Sequence, residues 1–480
     1  MNVTTFVTVA ATFFCSAAFA GELYEPTDPY ELLRRLQAAE QRIELLEQDK
    51  TLGDPDGVRQ VDYSWPNATE QKQFDATKKP TWKINGRIHL DSWWFPRTSA
   101  GIDFFENPLT GDDPEDRIQF RRIRLEMGGD ILDSMLYRIQ LDFNNPQTPE
   151  YKDVYIGFKN LPGNQTILFG SQKRPIGLDH LNSSRYNVFL ERPLVVEAFN
   201  EDARRIGAAV YGYTDDELYH WRYGVFSLQN TRSTGRFIGD SLQLSGNARL
   251  SSSPWYDESS GGRGYFHWAV AGMAARPDGD VGVNDTNVNE ARFRAIPELR
   301  SGSRWINTNR IAGAEAYEIL ALESIFNVGP LQVTGEYQFN WVQRDGTTAG
   351  TGPDLYFHGA YIYLSYFLTG EHIPYNRKRA TIGRVQPFQN FFLVCDRCGD
   401  KQVGWGAWAI AARYSYLDLT DQDILGGVEQ NLTLALNWYW TAYSKLQFNA
   451  VYGDIENHAP TGGFTSGNFW GLGTRMAIEF

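Results

Sequence analysis

Residues 431–440 read Asn-Leu-Thr-Leu-Ala-Leu-Asn-Trp-Tyr-Trp, and their side chains alternate in character. Every second position is a large apolar residue, and mostly small or polar residues stand between them. Successive side chains of a β-strand point to opposite faces. The stretch therefore predicts a strand with one apolar face and one more polar face.

The same period of two recurs from about residue 82 onward. Residues 122–128, 137–143, 219–225 and 331–340 alternate apolar side chains with charged and amide ones. A soluble β-sandwich also alternates, so a second signal is needed to decide between the two. Aromatic residues near the presumed strand ends supply it, because membrane barrels carry aromatic girdles at both interfaces. These residues are Trp93, Trp94, Tyr137, Tyr414, Tyr416, Trp438 and Trp440.

Composition favours a barrel over a helical membrane protein. The chain has 480 residues, 14% of them aromatic, and a mean hydropathy of -0.42. No stretch approaches the roughly 18 apolar residues that a membrane helix needs. A spanning protein without such stretches must pair its backbone groups between strands, which requires a closed barrel. The residues alone thus predict a large transmembrane antiparallel β-barrel in an all-β chain, with a large soluble all-β protein as the alternative.

Both ends of the chain carry export signals. Residues 1–20 have no charged side chain and end in Ala-Phe-Ala, which predicts a signal peptide cleaved before Gly21. The last residues alternate as a strand and end on Phe480. A terminal phenylalanine on such a strand resembles the signal that the outer-membrane assembly machinery reads, so we expect that machinery as a partner.

Residues 21–50 predict a short amphipathic, coiled-coil helix. Its apolar seam, at alternating spacings of four and three, consists of Leu32, Leu36, Ala39, Ile43 and Leu46. The seam covers fewer than three heptads, so it either assembles with copies held close by an oligomer or lies against another surface. Residues 51–80 read as a flexible periplasmic linker. The barrel is then expected over residues 81–480.

Charge and cysteine content exclude other classes of protein. The net charge of -13 argues against a nucleic-acid partner, because such proteins usually carry a basic excess. Cys395 and Cys398 predict a local disulfide in an oxidising compartment; a free pair, a metal site and a redox motif are the alternatives. Two thiols cannot complete a tetrahedral zinc site. With no hydrolase elbow or metalloprotease motif either, we expect no catalytic residues, metal or cofactor, and no enzymatic activity.

The sequence resembles the phosphate-selective porin O and P family in four segments. The first runs from Phe-Arg-Arg-Ile-Arg-Leu at 120–125 to Asp-Phe at 142–143. The others are residues 169–192, 363–371 and 406–439. The resemblance implies a barrel of about 16 strands, assembled as a homotrimer in the outer membrane of a diderm bacterium, with long loops folded inward. The residues alone give no reliable strand count.

An anion crossing a membrane needs donors that replace its hydration, and the arginine fork suits phosphate. Residues 173–205 are the best candidate for a constricting loop, since they hold six basic and five acidic side chains between alternating segments. By resemblance, Lys173, Arg185 and Arg192 match basic family positions where the loop enters the lumen. Alternatively, these residues pair with neighbouring acids to hold the loop folded.

A second basic cluster spans residues 291–304. Arg292 and Arg294 stand two residues apart, so an extended chain points both the same way, and Arg300 follows. The cluster resembles the family's arginine ladder, but Ile296 stands where the family tends to place a third arginine. This departure weakens the case for strict phosphate selectivity more than the case for a general anion preference.

Further arginines fall on the presumed lumen face of the strands. Arg122 and Arg124 are anion-pathway candidates, with Arg138, Arg222, Arg413 and Arg475 on the same face. Cross-strand salt bridges are the alternative role for all six. The combined expectation is passive diffusion of small anions through a trimeric barrel that is embedded in the lipid bilayer and carries arginines on inward-folded loops, with phosphate favoured by resemblance. A general-diffusion or carbohydrate porin and an envelope-tethering structural barrel are the alternatives.

Overall fold

The computed structural model describes residues 80–201, 204–279, 288–347, 350–395 and 401–480. The signal peptide, the helix of residues 21–50 and the linker lie outside these ranges, so their bounds stay predictions. Cys398 also lies outside them, and the disulfide stays a prediction as well.

Sixteen strands form one closed antiparallel barrel, which confirms the expected strand count. The barrel strands are β1 (Lys83–Thr98), β2 (Arg117–Leu132), β3 (Met135–Asp142), β4 (Glu150–Leu161), β5 (Gln165–Lys173), β6 (Arg204–Tyr213), β7 (Tyr219–Ser227), β8 (Leu244–Tyr256), β9 (Gly264–Arg276), β12 (Ala314–Val328), β13 (Leu331–Arg344), β14 (Leu355–Phe367), β19 (Ala407–Asp421), β20 (Ile424–Thr441), β21 (Ser444–His458) and β22 (Gly467–Glu479). Each pairs with the next along the chain, and β22 closes onto β1.

The connections between barrel strands carry the remaining elements. Three two-stranded sheets pair β10 (Arg294–Ala295) with β11 (Ile306–Asn307), β15 (Tyr375–Asn376) with β16 (Thr381–Ile382), and β17 (Phe392–Cys395) with β18 (Lys401–Gly404). The helices are α1 (Ala100–Glu106), α2 (Leu178–Leu181) and α3 (Leu194–Phe199). Within the described ranges no helix has the length and apolar character to cross a membrane.

The wall of the barrel is apolar outside and polar inside. On β20, Leu432 and Leu434 are 48% and 53% exposed, whereas Thr433 between them is completely buried in the lumen. Other strands repeat this inversion, with outward Leu250, Val270 and Leu472. An apolar exterior around a polar interior is the arrangement that lipid on one side and water on the other require.

The prediction of an aromatic girdle was wrong for one residue, Trp93. Trp93 is completely buried and points inward, where its ring lies against Gly473. Its neighbour Trp94 is 42% exposed and points outward. Adjacent residues of a strand take opposite faces, so these two tryptophans cannot both belong to the girdle.

The connections differ in length between the two ends of the barrel. One end carries short turns, such as Gly329–Pro330, where the left-handed φ of Gly329 closes a two-residue hairpin. The other end carries most of the long loops. Residues 368–406 break this rule, since they form a long connection at the short-turn end.

A buried ion pair closes the barrel between its first and last strands. Arg475 of β22 donates from Nε and Nη2 to the two carboxylate oxygens of Asp91 on β1, over 2.7 and 2.6 Å. Both side chains are almost inaccessible to solvent. The pair lies directly across the register, because Asp91 faces Arg475 in the pairing of the two strands.

Asp91→Ala is expected to lower the free energy of unfolding by about 3–5 kcal/mol, because it leaves the buried guanidinium without this partner. Urea unfolding of the protein refolded into lipid vesicles measures the difference.

Asp113→Ala is the matched control. Asp113 is an exposed carboxylate in the connection between β1 and β2, and its removal should change the free energy by no more than about 0.5 kcal/mol. Equal effects of the two variants would contradict a closing role for the Asp91–Arg475 pair.

Candidate anion pathway

Three segments fold into the lumen, and we name them by their order in the chain. Loop A comprises residues 174–203 between β5 and β6, and loop B comprises residues 277–313 between β9 and β12. Loop C comprises residues 368–406, and it enters from the opposite end. The structure describes residues 174–201 of loop A, 277–279 and 288–313 of loop B, and 368–395 and 401–406 of loop C.

Loop A is held by apolar packing and by charges on the wall. The apolar side chains of α3 are almost completely buried, and this helix contacts β13, β14 and β19. The backbone N–H of Asp179 donates to Glu336 Oε1 over 2.6 Å. Lys445 Nζ donates to the carbonyl oxygen of Asn187 over 2.8 Å. The inward-folded loop expected from the sequence is therefore present and fixed.

Loop B is centred on the buried carboxylate of Glu298. Its Oε2 accepts from Arg413 Nε of β19 over 3.2 Å and from Thr433 Oγ1 of β20 over 2.8 Å, and Arg413 Nη2 lies 2.6 Å from the same oxygen. Its Oε1 accepts from the backbone N–H of Leu194 in loop A over 3.3 Å. One carboxylate thus joins loop A, loop B and the wall.

Loop C brings the β15–β16 hairpin into the lumen from the short-turn end. The hydroxyl of Tyr375 lies 2.8 Å from His267 Nδ1 on β9. The backbone N–H of Ile382 donates to Asn182 Oδ1 of loop A over 3.1 Å. Segments inserted from the two ends of the barrel therefore touch inside it. Sequence reasoning missed this contact, because it treated the region only as the site of two cysteines.

A basic cavity of about 930 Å³ remains between the loops and the strands β1–β7. Its lining contains fourteen arginines and three lysines against four carboxylates, Asp142, Glu150, Asp153 and Glu197. The whole chain, by contrast, carries a net charge of -13. The basic side chains are thus concentrated where a solute in the lumen would meet them.

The predicted pathway residues divide between two cavities. Six of them line the basic cavity: Arg122, Arg124, Lys173, Arg185, Arg192 and Arg300. Arg292 and Arg294 instead line a side cavity of about 240 Å³ together with Arg174, Arg205 and Arg310. The second arginine cluster of the sequence is therefore divided between the two cavities, and Ile296 lines the basic cavity, as Arg300 does.

Lys173 and Arg192 also hold loop A in place. Lys173 Nζ donates to the carbonyl oxygens of His180, Leu181 and Asn182 over 2.7, 3.1 and 2.8 Å. Arg192 donates to the carbonyl oxygens of Asp179 and Asn182 over 3.0 and 3.1 Å. The alternative role proposed for these residues, maintaining the loop, is thus visible in their contacts.

The strand arginines fall into paired and unpaired groups. Arg124 pairs with Asp142, and Arg138 pairs with Glu126, each over 2.6 Å. Arg122 stands two residues before Arg124 on β2, on the side away from Arg138, and its Nη1 is 3.3 Å from His89 Nδ1. Within the described chain, no carboxylate oxygen lies within 4 Å of the Arg122 guanidinium.

In the arginine cluster of loop B, Glu201 neutralises part of the charge. Arg294 hydrogen-bonds Glu201 through Nε and Nη2, and Arg304 Nη2 lies 3.2 Å from the same carboxylate. Arg292 has no carboxylate within 4 Å among the described residues. Burial and the charge of Arg294 lower the pKa of Arg292 to about 10, which leaves it cationic at neutral pH.

A β-bulge adds an arginine that strict alternation would place outside. In the pairing of β1 with β2, His89 faces Arg122 and Leu90 faces Phe120, so Arg121 is an extra residue. Arg121 and Arg122 consequently both line the basic cavity. A bulge inserts one residue and re-aims the side chains around it. In the sequence, the two consecutive arginines at 121 and 122 are the feature that could have indicated this bulge.

The described residues contain no cluster of three or more histidine, cysteine or acidic side chains placed to hold a metal ion. The arrangement offers guanidinium, ammonium and hydroxyl donors to a solute. Its chemistry is therefore that of reversible recognition.

Comparisons with known proteins find one family and several similar proteins. The family model described as phosphate-selective porin O and P matches residues 97–463. A protein of Caulobacter vibrioides that bears the name "uncharacterized protein" is 26% identical over 352 residues, which cover 72% of this chain. The chain spans only 64% of the length of that relative.

Several solved outer-membrane proteins are similar in fold. OmpT of Vibrio cholerae, in vitro folded and in trimer form, is 10% identical with a TM-score of 0.48, over 83% of this chain and 100% of that one. An anion-selective porin from Comamonas acidovorans is 10% identical with a TM-score of 0.47, over the same shares. The outer membrane channel DcaP of Acinetobacter baumannii is 11% identical with a TM-score of 0.46, over 85% and 99%.

The family match covers far more than half of the chain and falls on the closed barrel that the coordinates show. The chain belongs to the phosphate-selective porin O and P family.

Proposed function

We propose that the protein gives small anions passive passage across the outer membrane, with phosphate among the favoured solutes. The observation that carries this proposal is the basic cavity, where arginine and lysine outnumber carboxylates in an otherwise acidic chain. A permeating ion responds to the charges that line its path, because charges beyond roughly 8–10 Å are screened by salt.

The excess positive charge is concentrated on arginines without a counter-ion. Five arginines of the basic cavity have no carboxylate within 4 Å in the described part of the chain: Arg87, Arg122, Arg222, Arg300 and Arg379. They come from β1, β2, β7, loop B and loop C. Donors that converge from several elements suit a tetrahedral oxyanion, which accepts hydrogen bonds in several directions.

Support for phosphate as a favoured solute comes from family membership. The division of the arginine cluster of residues 291–304 between two cavities weakens that support. Arg294 is bound by Glu201, and Ile296 faces the basic cavity where a further arginine would extend the series. The proposal is therefore an anion channel with a moderate phosphate preference, whose sites are weak enough to release the ion.

The family also supports proposals about assembly. We infer a homotrimer that is inserted by the outer-membrane assembly machinery, with the helix of residues 21–50 in the periplasm. The porin fold favours a channel over an enzyme, and we propose no catalytic role.

A carbohydrate or general-diffusion pore is the second candidate. Four tyrosines, Tyr155, Tyr186, Tyr211 and Tyr213, line the basic cavity and offer faces on which a sugar ring can pack. The guanidinium of Arg222 already lies over the Tyr211 ring, 5.2 Å from its centroid. The arginine-rich lining therefore favours organic anions over neutral sugars within this candidate.

Arg122→Gln and Arg300→Gln, separately and together, should lower the preference of the channel for anions. One charge about 6 Å from an ion in a water-like dielectric contributes about 0.7 kcal/mol, with opposite signs for an anion and a cation, so each change should reduce the anion-to-cation permeability ratio about tenfold. The reversal potential of single channels in a potassium chloride gradient measures the ratio.

Arg344→Gln is the matched control for these two variants. Arg344 pairs with Asp423 over 2.6 Å and does not line either arginine-rich cavity. Its reversal potential should match that of the unmodified protein. A shift as large as that of Arg122→Gln would refute the assignment of selectivity to the basic cavity.

Added phosphate should block chloride current through the unmodified channel at millimolar concentration, because the doubly charged oxyanion occupies the unpaired arginines longer than chloride does. Planar-bilayer recordings at fixed chloride measure the half-blocking concentration. Maltose at equal concentration is the comparison, and block by maltose without block by phosphate would favour the carbohydrate pore.

A further inference from the structure

The carboxylate of Glu191 in loop A is bound by arginines of two barrel strands. Its two oxygens accept from Nε and Nη2 of Arg121 on β2, over 2.8 and 3.0 Å. Oε1 also accepts from Nη2 of Arg475 on β22, over 2.9 Å. The two-pronged contact with Arg121 is the geometry in which arginine binds both carboxylates and phosphates.

A third arginine, Arg300 of loop B, lines the basic cavity together with Arg121. The charge of Arg121, followed by burial, lowers the pKa of Arg300 to about 10. Burial alone would raise the pKa of the Glu191 carboxyl, but the nearby guanidiniums, Arg121 foremost, hold it well below its ordinary value. Glu191 is therefore ionised and surrounded by more positive charge than it neutralises.

The backbone of loop A is fixed here without the help of the carboxylate. Arg475 Nη1 donates to the carbonyl oxygen of Leu190. Arg413 Nη1 donates to the carbonyl oxygen of Glu191 over 3.1 Å. These two hydrogen bonds hold the carbonyl oxygens of two consecutive residues of loop A. The Glu191 side chain therefore adds charge neutralisation to a backbone that is already anchored.

We propose that Arg121, Arg300 and Arg475 form an oxyanion-binding site in which the Glu191 carboxylate acts as a tethered competitor. The inference rests on the proposed anion channel and deepens it, since it names the residue that sets the affinity for phosphate and for carboxylate anions.

Competition explains why a channel would place a carboxylate among its arginines. Charge-assisted bonds from three guanidiniums would hold a phosphate tightly, and a site that binds too tightly stops conduction. A carboxylate on a short tether competes at an effective concentration of about millimolar or above. A permeating oxyanion must displace it, which weakens the site without removing its donors.

The test compares block of chloride current by inorganic phosphate in full-length variants recorded in planar bilayers. Glu191→Ala removes the competitor and opens its space, so the half-blocking phosphate concentration should fall about tenfold, equivalent to about 1.4 kcal/mol. Glu191→Gln removes only the charge and retains the volume, so a smaller decrease is expected. Because Gln also preserves packing, it supplies the result if the alanine variant fails to insert.

Glu197→Ala is the charge-matched comparison. Glu197 belongs to the same loop and lines the basic cavity, but its ion pair at 3.4 Å is with Arg304 and not with Arg121. Its removal should change the half-blocking concentration by less than about threefold, the size of a general charge effect. Adding Arg121→Gln to Glu191→Ala should return the half-blocking concentration toward that of the unmodified channel.

Three results would decide against the inference. An unchanged half-blocking concentration in both Glu191 variants, with phosphate still blocking the unmodified channel, would overturn the tethered competitor and leave the proposed function standing. Equal decreases in Glu191→Ala and Glu197→Ala would overturn it by showing a general effect of charge. An unmodified channel without anion preference would overturn the proposed function itself.

Discussion

The pairing of backbone groups between neighbouring strands is the constraint on which the rest of this molecule depends. Lipid offers no hydrogen bonds, so the wall must close on itself and turn an apolar face outward. The inner face then receives the polar side chains, including arginines whose charge is costly to bury without partners. This requirement explains many of the ion pairs in the lumen, because acidic residues of the wall and of the loops pair with those arginines.

Two classes of arginine result, and they have different consequences. Arg413 and Arg475 bind carboxylates and loop carbonyl oxygens, and thereby fix the contents of the lumen. Among the described residues, Arg122 and Arg300 have no carboxylate within 4 Å, and they contribute positive charge to the basic cavity. The first class positions the loops that surround the second class, so the architecture of the lumen and the anion selectivity that we propose depend on the same type of side chain.

The sequence predicted the wall well, because a period of two follows directly from strand geometry. It predicted loop A as well, since basic and acidic residues cluster between alternating segments. It did not predict the bulge at Arg121, because consecutive arginines at 121 and 122 also fit an unbroken period of two. It did not predict that Glu201, far away in the chain, binds Arg294. The place of Arg294 in the anion pathway stays a prediction.

The guanidinium of Arg475 contacts Asp91 across the closing strands and Glu191 in loop A. A single side chain therefore connects the two strands that close the barrel to loop A inside it. Any distortion that separates β1 from β22, whether from lateral membrane pressure or from bilayer thickness, would also pull on loop A. The cross-section of the barrel and the bore of the channel are thus mechanically coupled.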